Sequence, residues 1–306
     1  MSTEADNNLE EMTDEVCANC GKAEVDDVKL KKCACNLVKY CGVECQKNHR
    51  KQHKKACKQR MAEIHDDRLF TQPGISHYEE CPICYLPLSL DEEKIMITSC
   101  CCKFICGGCS YANLLREVEQ GLQQKCPFCR EPLLRTDEEH EQNFMKRVKA
   151  NDPAAIFHMG KKCLKEEDYE GVFQYWKKAA ELGHMDAQFN LSIMYRKGEG
   201  VERDMKKSMY HMEEAAIGGH HLARYDLGLY EWRGGRYDRA AKHYIIAAKL
   251  GYDKALEALK KGFAKGLVGK DDYAAALRGH QAAVDATKSK QREEAYRARR
   301  ERVWDA

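Results

Sequence analysis

The chain has 306 residues, enough for two or three domains rather than one large barrel. Its 51 Lys and Arg nearly cancel 49 Asp and Glu, so there is no overall signature of polyanion binding. No apolar run reaches the roughly 20 residues of a membrane-spanning helix, and six prolines argue against long proline-rich linkers.

Residues 1–16 carry six acids and no base, which fits neither a signal nor a transit peptide. They read as an acidic disordered tail, and the chain is expected to be intracellular, cytoplasmic or nuclear. Of 17 cysteines, 16 lie between Cys17 and Cys129. In a reducing compartment such clusters bind metal more often than they form disulfides.

The first cluster runs Cys17-x2-Cys20, then Cys33 and Cys35, Cys41-x3-Cys45 and His53-x3-Cys57. Seven thiols and one imidazole suffice for two tetrahedral zinc ions. Thiolate and imidazole exclude magnesium and calcium as natural occupants. A four-cysteine iron–sulfur centre is the weaker alternative, since it leaves His53 without a role. From Gln46 to Arg60 there are seven Lys/Arg and no acid. With no aromatic interleaved for base stacking, the run reads as the solvated face of short helices presenting His53 and Cys57, not as a nucleic-acid patch.

The stretches CANC, CAC and YCGVECQKNHRKQHKKAC resemble the MYND zinc finger over residues 17–57. The resemblance implies interleaved sites, with Cys17, Cys20, Cys41 and Cys45 on one zinc and Cys33, Cys35, His53 and Cys57 on the other. Two departures stand out. Cys33 and Cys35 are one residue closer than the usual Cys-x2-Cys. His49 and Arg50 stand where many members carry Asp-Trp, and that tryptophan helps form the family's groove for proline-containing peptides.

After a helical connector, assigned to residues 58–77, comes Cys81-Pro-Ile-Cys84. It is followed by Cys100, Cys101 and Cys102, then Cys106-x2-Cys109 and Cys126-Pro-Phe-Cys129. Nine thiols exceed by one the eight that two zincs need, and the triplet is the natural place for the surplus. The pattern resembles a RING finger over residues 78–135. The resemblance implies that Cys81, Cys84, Cys106 and Cys109 share one ion. Cys126, Cys129 and two of the triplet would hold the other; Cys100 and Cys102 fit a Cys-x-Cys spacing best, and an adjacent pair including Cys101 is the alternative. It also implies a surface for a ubiquitin-conjugating enzyme. Ile83 and Pro127 match its apolar positions and Arg130 its ubiquitin-orienting arginine; the usual histidine and helix tryptophan are missing. Such ligases act by positioning and carry no catalytic nucleophile.

From Asp152 the text repeats. Ala-Ala-x-x-Gly ends at Gly183, Gly219 and Gly251, and Ala155, Ala187, Ala223 and Ala255 are each followed four residues later by Leu or Met. This is helical spacing on one packed face. The glycines read as helix-ending turns, and Asp152-Pro153 as an N-cap with proline at the first helical position. Phe173 and Trp176, Met209 and Met212, and Tyr244 and Ile245 are the bulky residues of the second helices. One helix pair cannot bury such a face; stacked pairs can. The pattern resembles Sel-1-like repeats, relatives of the tetratricopeptide class. Three clear units and a weaker fourth (253–287) make up a repeat region assigned to 136–287. Cys163 reads as a lone buried thiol. Residues 288–306 read as a basic helical or disordered tail.

The expected fold is mainly α: two small cross-braced zinc modules followed by an α-solenoid of helix-pair repeats. The order of modules is also similar to a group of multi-domain proteins from diatoms. The expected cofactor is zinc, four ions, and the expected partners are other proteins. The leading function is a protein-interaction scaffold; the alternative is a RING-type ubiquitin ligase whose repeats select substrate. No methyltransferase cofactor motif and no DNA recognition helix is present.

Overall fold

The computed structural model describes residues 16–25, 29–134 and 136–304. Most of the acidic 1–16 segment therefore lies outside the described residues. The chain divides into two compact units, residues 1–71 and 72–306.

In the first unit a two-stranded antiparallel ribbon, β1 (Lys31–Lys32) and β2 (Lys39–Tyr40), precedes one helix, α1 (Val43–Phe70). The sequence suggested short helices and then a separate connector. Instead α1 runs unbroken for 28 residues, from the metal-ligating stretch to Phe70, and residues 71–77 of the expected helical connector are not helical. No proline or glycine interrupts residues 43–70, so nothing in the backbone chemistry stops it. The basic run lies on this helix, and its lysines are all exposed, as a solvated face requires.

The second unit opens with a hairpin, β3 (Ile95–Ile97) and β4 (Phe104–Cys106), followed by α2 (Gly107–Glu119). The helical layer follows: α3 (Asp137–Lys149), α4 (Pro153–Lys165), α5 (Tyr169–Glu181), α6 (Met185–Lys197), α7 (Met205–Ile217), α8 (His221–Arg233), α9 (Tyr237–Lys249), α10 (Asp253–Ala264), α11 (Lys270–Ala286) and α12 (Lys290–Trp304). Helices α4 and α5, α6 and α7, and α8 and α9 pack as three pairs, the clear units read from the sequence, and α10 and α11 both pack on α9. Asp152 caps α4 as expected, its carboxylate accepting from the Ala154 and Ala155 amides. Gly219 ends the second pair at φ +84°, a conformation only glycine adopts without strain, and Gly183 and Gly251 repeat it. No helix among the described residues is long and apolar enough to cross a membrane.

The pairs interlock by a ring-on-glycine contact. A Cβ on Gly160 would collide with Trp176, and one on Gly228 would lie 2.5 Å from Tyr244. Both rings are almost fully buried. The second pair keeps its expected bulky residue: Met212 precedes Gly219 by seven residues, as Trp176 and Tyr244 precede Gly183 and Gly251, and is almost fully buried. Ser192 stands at the position of Gly160 and Gly228, and the Ser208 hydroxyl donates to its carbonyl at 2.8 Å. Gly228→Ala should therefore lower stability. It gains up to about 1 kcal/mol of helix propensity, but overpacking against a rigid ring costs typically 1–3 kcal/mol. Urea unfolding checks the sign, and a more stable variant would show that the pair can slide apart.

The second cysteine module and the repeats do not stand apart. Residues 72–306 are one unit, and the module lies along the edge where α6, α8 and α10 begin. The His77 amide donates to the Gly219 carbonyl at 3.3 Å, and a Cβ on Gly219 would meet the Ile75 carbonyl at 2.9 Å. The C-terminal segment, read as a helical or disordered tail, is the helix α12, packed on α2.

Candidate metal centres

Four groups of potential ligands assemble, each with its donor atoms within 4.8 Å of one another. In the first unit they are Cys17, Cys20, Cys41 and Cys45, and Cys33, Cys35, His53 and Cys57. In the second unit they are Cys81, Cys84, Cys106 and Cys109, and Cys100, Cys101, Cys126 and Cys129. In each unit the ligand pairs alternate along the chain, first with third and second with fourth. Helix α1 presents His53 and Cys57 one turn apart; β4 and the start of α2 present Cys106 and Cys109.

The distances fit zinc. Ligands at about 2.3 Å around a tetrahedral ion place sulfurs roughly 3.8 Å apart. Cys33 to Cys57 is 3.7 Å, Cys84 to Cys106 is 3.8 Å and Cys101 to Cys126 is 3.9 Å. His53 Nε2 lies 3.1 Å from Cys35 Sγ. A disulfide would need about 2.05 Å, and all 17 cysteines are free.

One backbone device builds four of the ligand pairs. Gly21, Tyr85 and Arg130 each follow a Cys-x2-Cys and donate an amide back to the carbonyl of its first cysteine, at 2.9 to 3.0 Å. Asn36 does the same for Cys33, but across three residues rather than four. All four residues lie in the left-handed region. The tighter turn at Asn36 is how Cys33 and Cys35 converge although one residue closer than usual.

The thiols within a group are not equivalent. Burial opposes ionisation of Cys17, but amides of Cys41, Cys20 and Asn19 outweigh it and bring the thiol down to about 6. Burial likewise opposes, and local amides overcome, the ionisation of Cys126, lowered to about 7. Cys41 is pushed up to about 12, first through its bond with Cys45. One thiolate forms readily in each of these groups, while Cys41 in the first and Cys100 in the second hold their protons. Metal entry must therefore displace protons, and affinity falls in acid.

The triplet corrects the expectation drawn from spacing. Cys100 and Cys101 join the metal group, and Cys102 does not. A turn closes between the Thr98 carbonyl and the Cys102 amide, with Cys102 at φ +53°. The Cys102 thiol packs instead among Phe144, Ala155 and Met159 of the helical layer. Burial pushes it up to about 12, so it is an inert core group. Thr98 Oγ1 lies 3.2 Å from Cys101 Sγ and 3.5 Å from Cys126 Sγ, an outer contact that the sequence did not flag.

The proposed conjugating-enzyme positions stay accessible. Ile83 is 37 % exposed, Pro127 is half-buried and Arg130 is exposed. Arg130 Nη1 donates to Asn113 Oδ1 on α2 at 2.9 Å, which ties it to the module.

A further group, His77, Asp186 and His220, has metal-like proximity but different chemistry. The Ala223 amide donates to His220 Nδ1 at 3.1 Å, capping α8. That nitrogen therefore keeps its lone pair, and the hydrogen sits on Nε2, 3.3 Å from Asp186 Oδ1. A protonated Nε2 donates to the carboxylate and cannot bind a metal. His77 Nε2 reaches the same oxygen at 3.2 Å, and the ring stacks on His220 with centroids 4.4 Å apart. The cluster fastens residue 77 to the repeats. Glycine-histidine at 183–184 and 219–220 was its sequence signal, since both histidines cap helices.

Burial lowers His184 to about 4 and His221 to about 3, so both are neutral in the native state. The unfolded chain takes up their protons below about pH 6.5. Stability from this cluster is therefore full above pH 6.5 and is lost as pH falls toward 4. His221→Phe, which keeps the stacked ring and removes the proton site, should flatten the slope of urea stability between pH 6.5 and 4.5. An unchanged slope would assign the acid sensitivity to other groups.

Residues 17–57 match the MYND finger family, and residues 153–184, 186–220 and 221–252 each match the Sel1 repeat family. Over 56 residues the chain is 38% identical to HcpC of Helicobacter pylori, covering 18% of this chain and 19% of that protein. Over 55 residues it is 37% identical to DAP3-binding cell death enhancer 1 of Rattus norvegicus, covering 18% of this chain and 11% of that protein. The matched stretch thus spans no more than about a fifth of these relatives. A Sel1 repeat protein from Oxalobacter formigenes superposes with a TM-score of 0.43 at 25% identity, over 58% of this chain and 72% of its own. The protective antigen c5321 of uropathogenic Escherichia coli gives 0.39 at 19% identity, over 63% and 40%. The chain thus carries a MYND finger match at residues 17–57 and three Sel1 repeat matches between residues 153 and 252, with a second set of clustered cysteines between them.

Proposed function

We propose that the protein is a zinc-bearing interaction scaffold that holds four zinc ions and binds partner proteins through its repeats and its MYND finger. The observation that carries this is the side of the repeats left free by the second module. That module covers the edge where α6, α8 and α10 begin. At the other ends of the helices stand exposed apolar side chains: Tyr169, Met205, Tyr230, Tyr237 and Phe263. Exposed aromatics on a rigid array supply contact area at low entropic cost. No catalytic residue is needed for such a role.

The test is capture of partners by the zinc-loaded chain from its own cell extract. Tyr169→Ser combined with Tyr230→Ser should reduce capture several-fold with zinc content and melting temperature unchanged. Capture unaffected by both changes would remove the repeats' free edge from the reading.

A second reading, ubiquitin transfer by a RING-like second module, is favoured by the exposure of Ile83, Leu115 and Phe128 and by the tethered Arg130. Here Ile83 and Pro127 contact a charged conjugating enzyme and Arg130 orients the ubiquitin end. Discharge of thioester-bound ubiquitin to free lysine should be faster with the protein. Ile83→Ala should weaken recruitment, while Arg130→Ala should slow discharge with recruitment nearly intact. No acceleration across a broad panel of conjugating enzymes leaves the scaffold reading alone.

A further inference from the structure

Helix α12 is separated from the second cysteine module by more than 150 residues of sequence, yet it closes over that module's first ligand group. Arg292 makes the contact. Its Nη2 donates to Cys84 Sγ at 3.3 Å and to the Leu86 carbonyl at 3.1 Å. Its Nη1 donates to the Pro87 carbonyl at 2.7 Å and to the Thr287 carbonyl at 2.8 Å. All four terminal guanidinium hydrogens are used. Gln291 Nε2 adds a bond to the Gly108 carbonyl at 3.1 Å, and Arg299 donates to the Glu93 carbonyl.

The backbones are shaped for this approach. A Cβ on Gly108 would lie 2.8 Å from Arg292 Cγ and 2.9 Å from its Cα. Only a residue without a side chain lets α12 come this near to Cys109 and Cys106. Among the described residues the module's other group has no cationic donor of this kind; it has the neutral Thr98 hydroxyl.

The chemistry has a direction. Four thiolates around one divalent zinc leave two net negative charges. A guanidinium bonded to one thiolate neutralises part of that charge, and charge-assisted bonds are the stronger kind. Without the metal the charged four-thiolate site is gone, and the arginine keeps only its bonds to the Leu86, Pro87 and Thr287 carbonyls.

We propose that α12 is a metal-dependent clasp: zinc bound by Cys81, Cys84, Cys106 and Cys109 holds the helix down through Arg292, and the docked helix in return retains the zinc. Coupling of two binding events is reciprocal, so each must strengthen the other. Arg292 is a positioning residue for the metal site and ligates nothing. The inference rests on the reading that this group holds zinc, and the experiment separates the two.

Zinc transfer from the fully loaded, full-length protein to a chromogenic chelator is followed for wild type, Arg292→Ala, Arg292→Lys and Gly108→Ala, with exposed Arg297→Ala as the control. Hydrogen exchange of residues 290–301 is followed before and after chelation. Outer contacts to metal ligands typically change affinity about 10- to 100-fold. Arg292→Ala should accelerate release of one zinc equivalent at least about 10-fold, within that range. Arg292→Lys should fall between it and wild type, because it keeps the charge without the fork. Gly108→Ala should reproduce the effect by pushing the helix away while leaving Arg292 intact. Residues 290–301 should lose protection together with that one ion. Release rates equal to wild type, acceleration of all ions alike, or protection that outlasts the metal would each overturn the clasp. Alkylation of Cys81 and Cys84 in the loaded wild type, with zinc content one ion short, would instead overturn the metal reading of this group.

Discussion

Chelation of the loaded protein is expected to abolish the helical signal of residues 43–70 while the repeats keep theirs. Helix α1 has 28 residues, and only His53 and Leu69 are buried. A helix with so little apolar contact gains almost nothing from packing, and an isolated helix in water is marginal. On the zinc reading, what fixes it is His53 and Cys57 binding the same ion as Cys33 and Cys35. Structural zinc contributes on the order of 10–16 kcal/mol to small modules, far above any other term available to this unit. The repeats differ: Ile156, Val172, Leu191, Leu227 and Leu259 are almost wholly buried, at roughly 1.5–3 kcal/mol each. Far-ultraviolet circular dichroism with a chelator titration should show a partial loss ending on a plateau, followed by a separate thermal transition of the repeats. A single concerted collapse would mean that the repeats also depend on metal.

The second large effect concerns three consecutive cysteines. Cys101→Ser should remove one zinc of four and destabilise the second module, because three thiolates and a hydroxyl make a poor structural site. Cys100→Ser should do the same. Cys102→Ala should leave all four ions in place, costing only the packing of one sulfur against Phe144 and Met159. Elemental analysis and a melting curve on each variant decide it. Loss of zinc on changing Cys102 would mean that the turn at Thr98 to Cys102 is drawn the wrong way round.

That turn also marks where sequence reading stops. The resemblances to MYND and RING fingers implied the alternation of pairs, and spacing gave the ligand inventory, since cysteines two or three apart must share a knuckle. It favoured Cys100 with Cys102, because a one-residue gap repeats the Cys33 and Cys35 motif. Side-chain direction in a triplet depends on one backbone angle, the positive φ of Cys102, and no residue type there announces it. The repeats were legible for the opposite reason: Ala-Ala-x-x-Gly and the buried Leu/Met positions are local rules applied three times. Ser192, at the position held elsewhere by Gly160 and Gly228, escaped notice because a search for bulky residues passes over small ones. Arg292 was unreadable among the seven bases of its segment, although Gly107-Gly108 beside a ligand was a sign that backbone approaches there.

The position of Arg292 also sets an order of events during synthesis. Cys129, the last ligand of the second module, is made about 160 residues before Arg292, and at roughly 5–20 residues per second the interval is on the order of ten to thirty seconds. Throughout that time the Cys84 side of the module has its ligands but not its cover. The nascent chain must load metal, or keep its thiols reduced, with the first ligand group open on one face. A module covered by a helix made about 160 residues later cannot be finished until that helix has been synthesised.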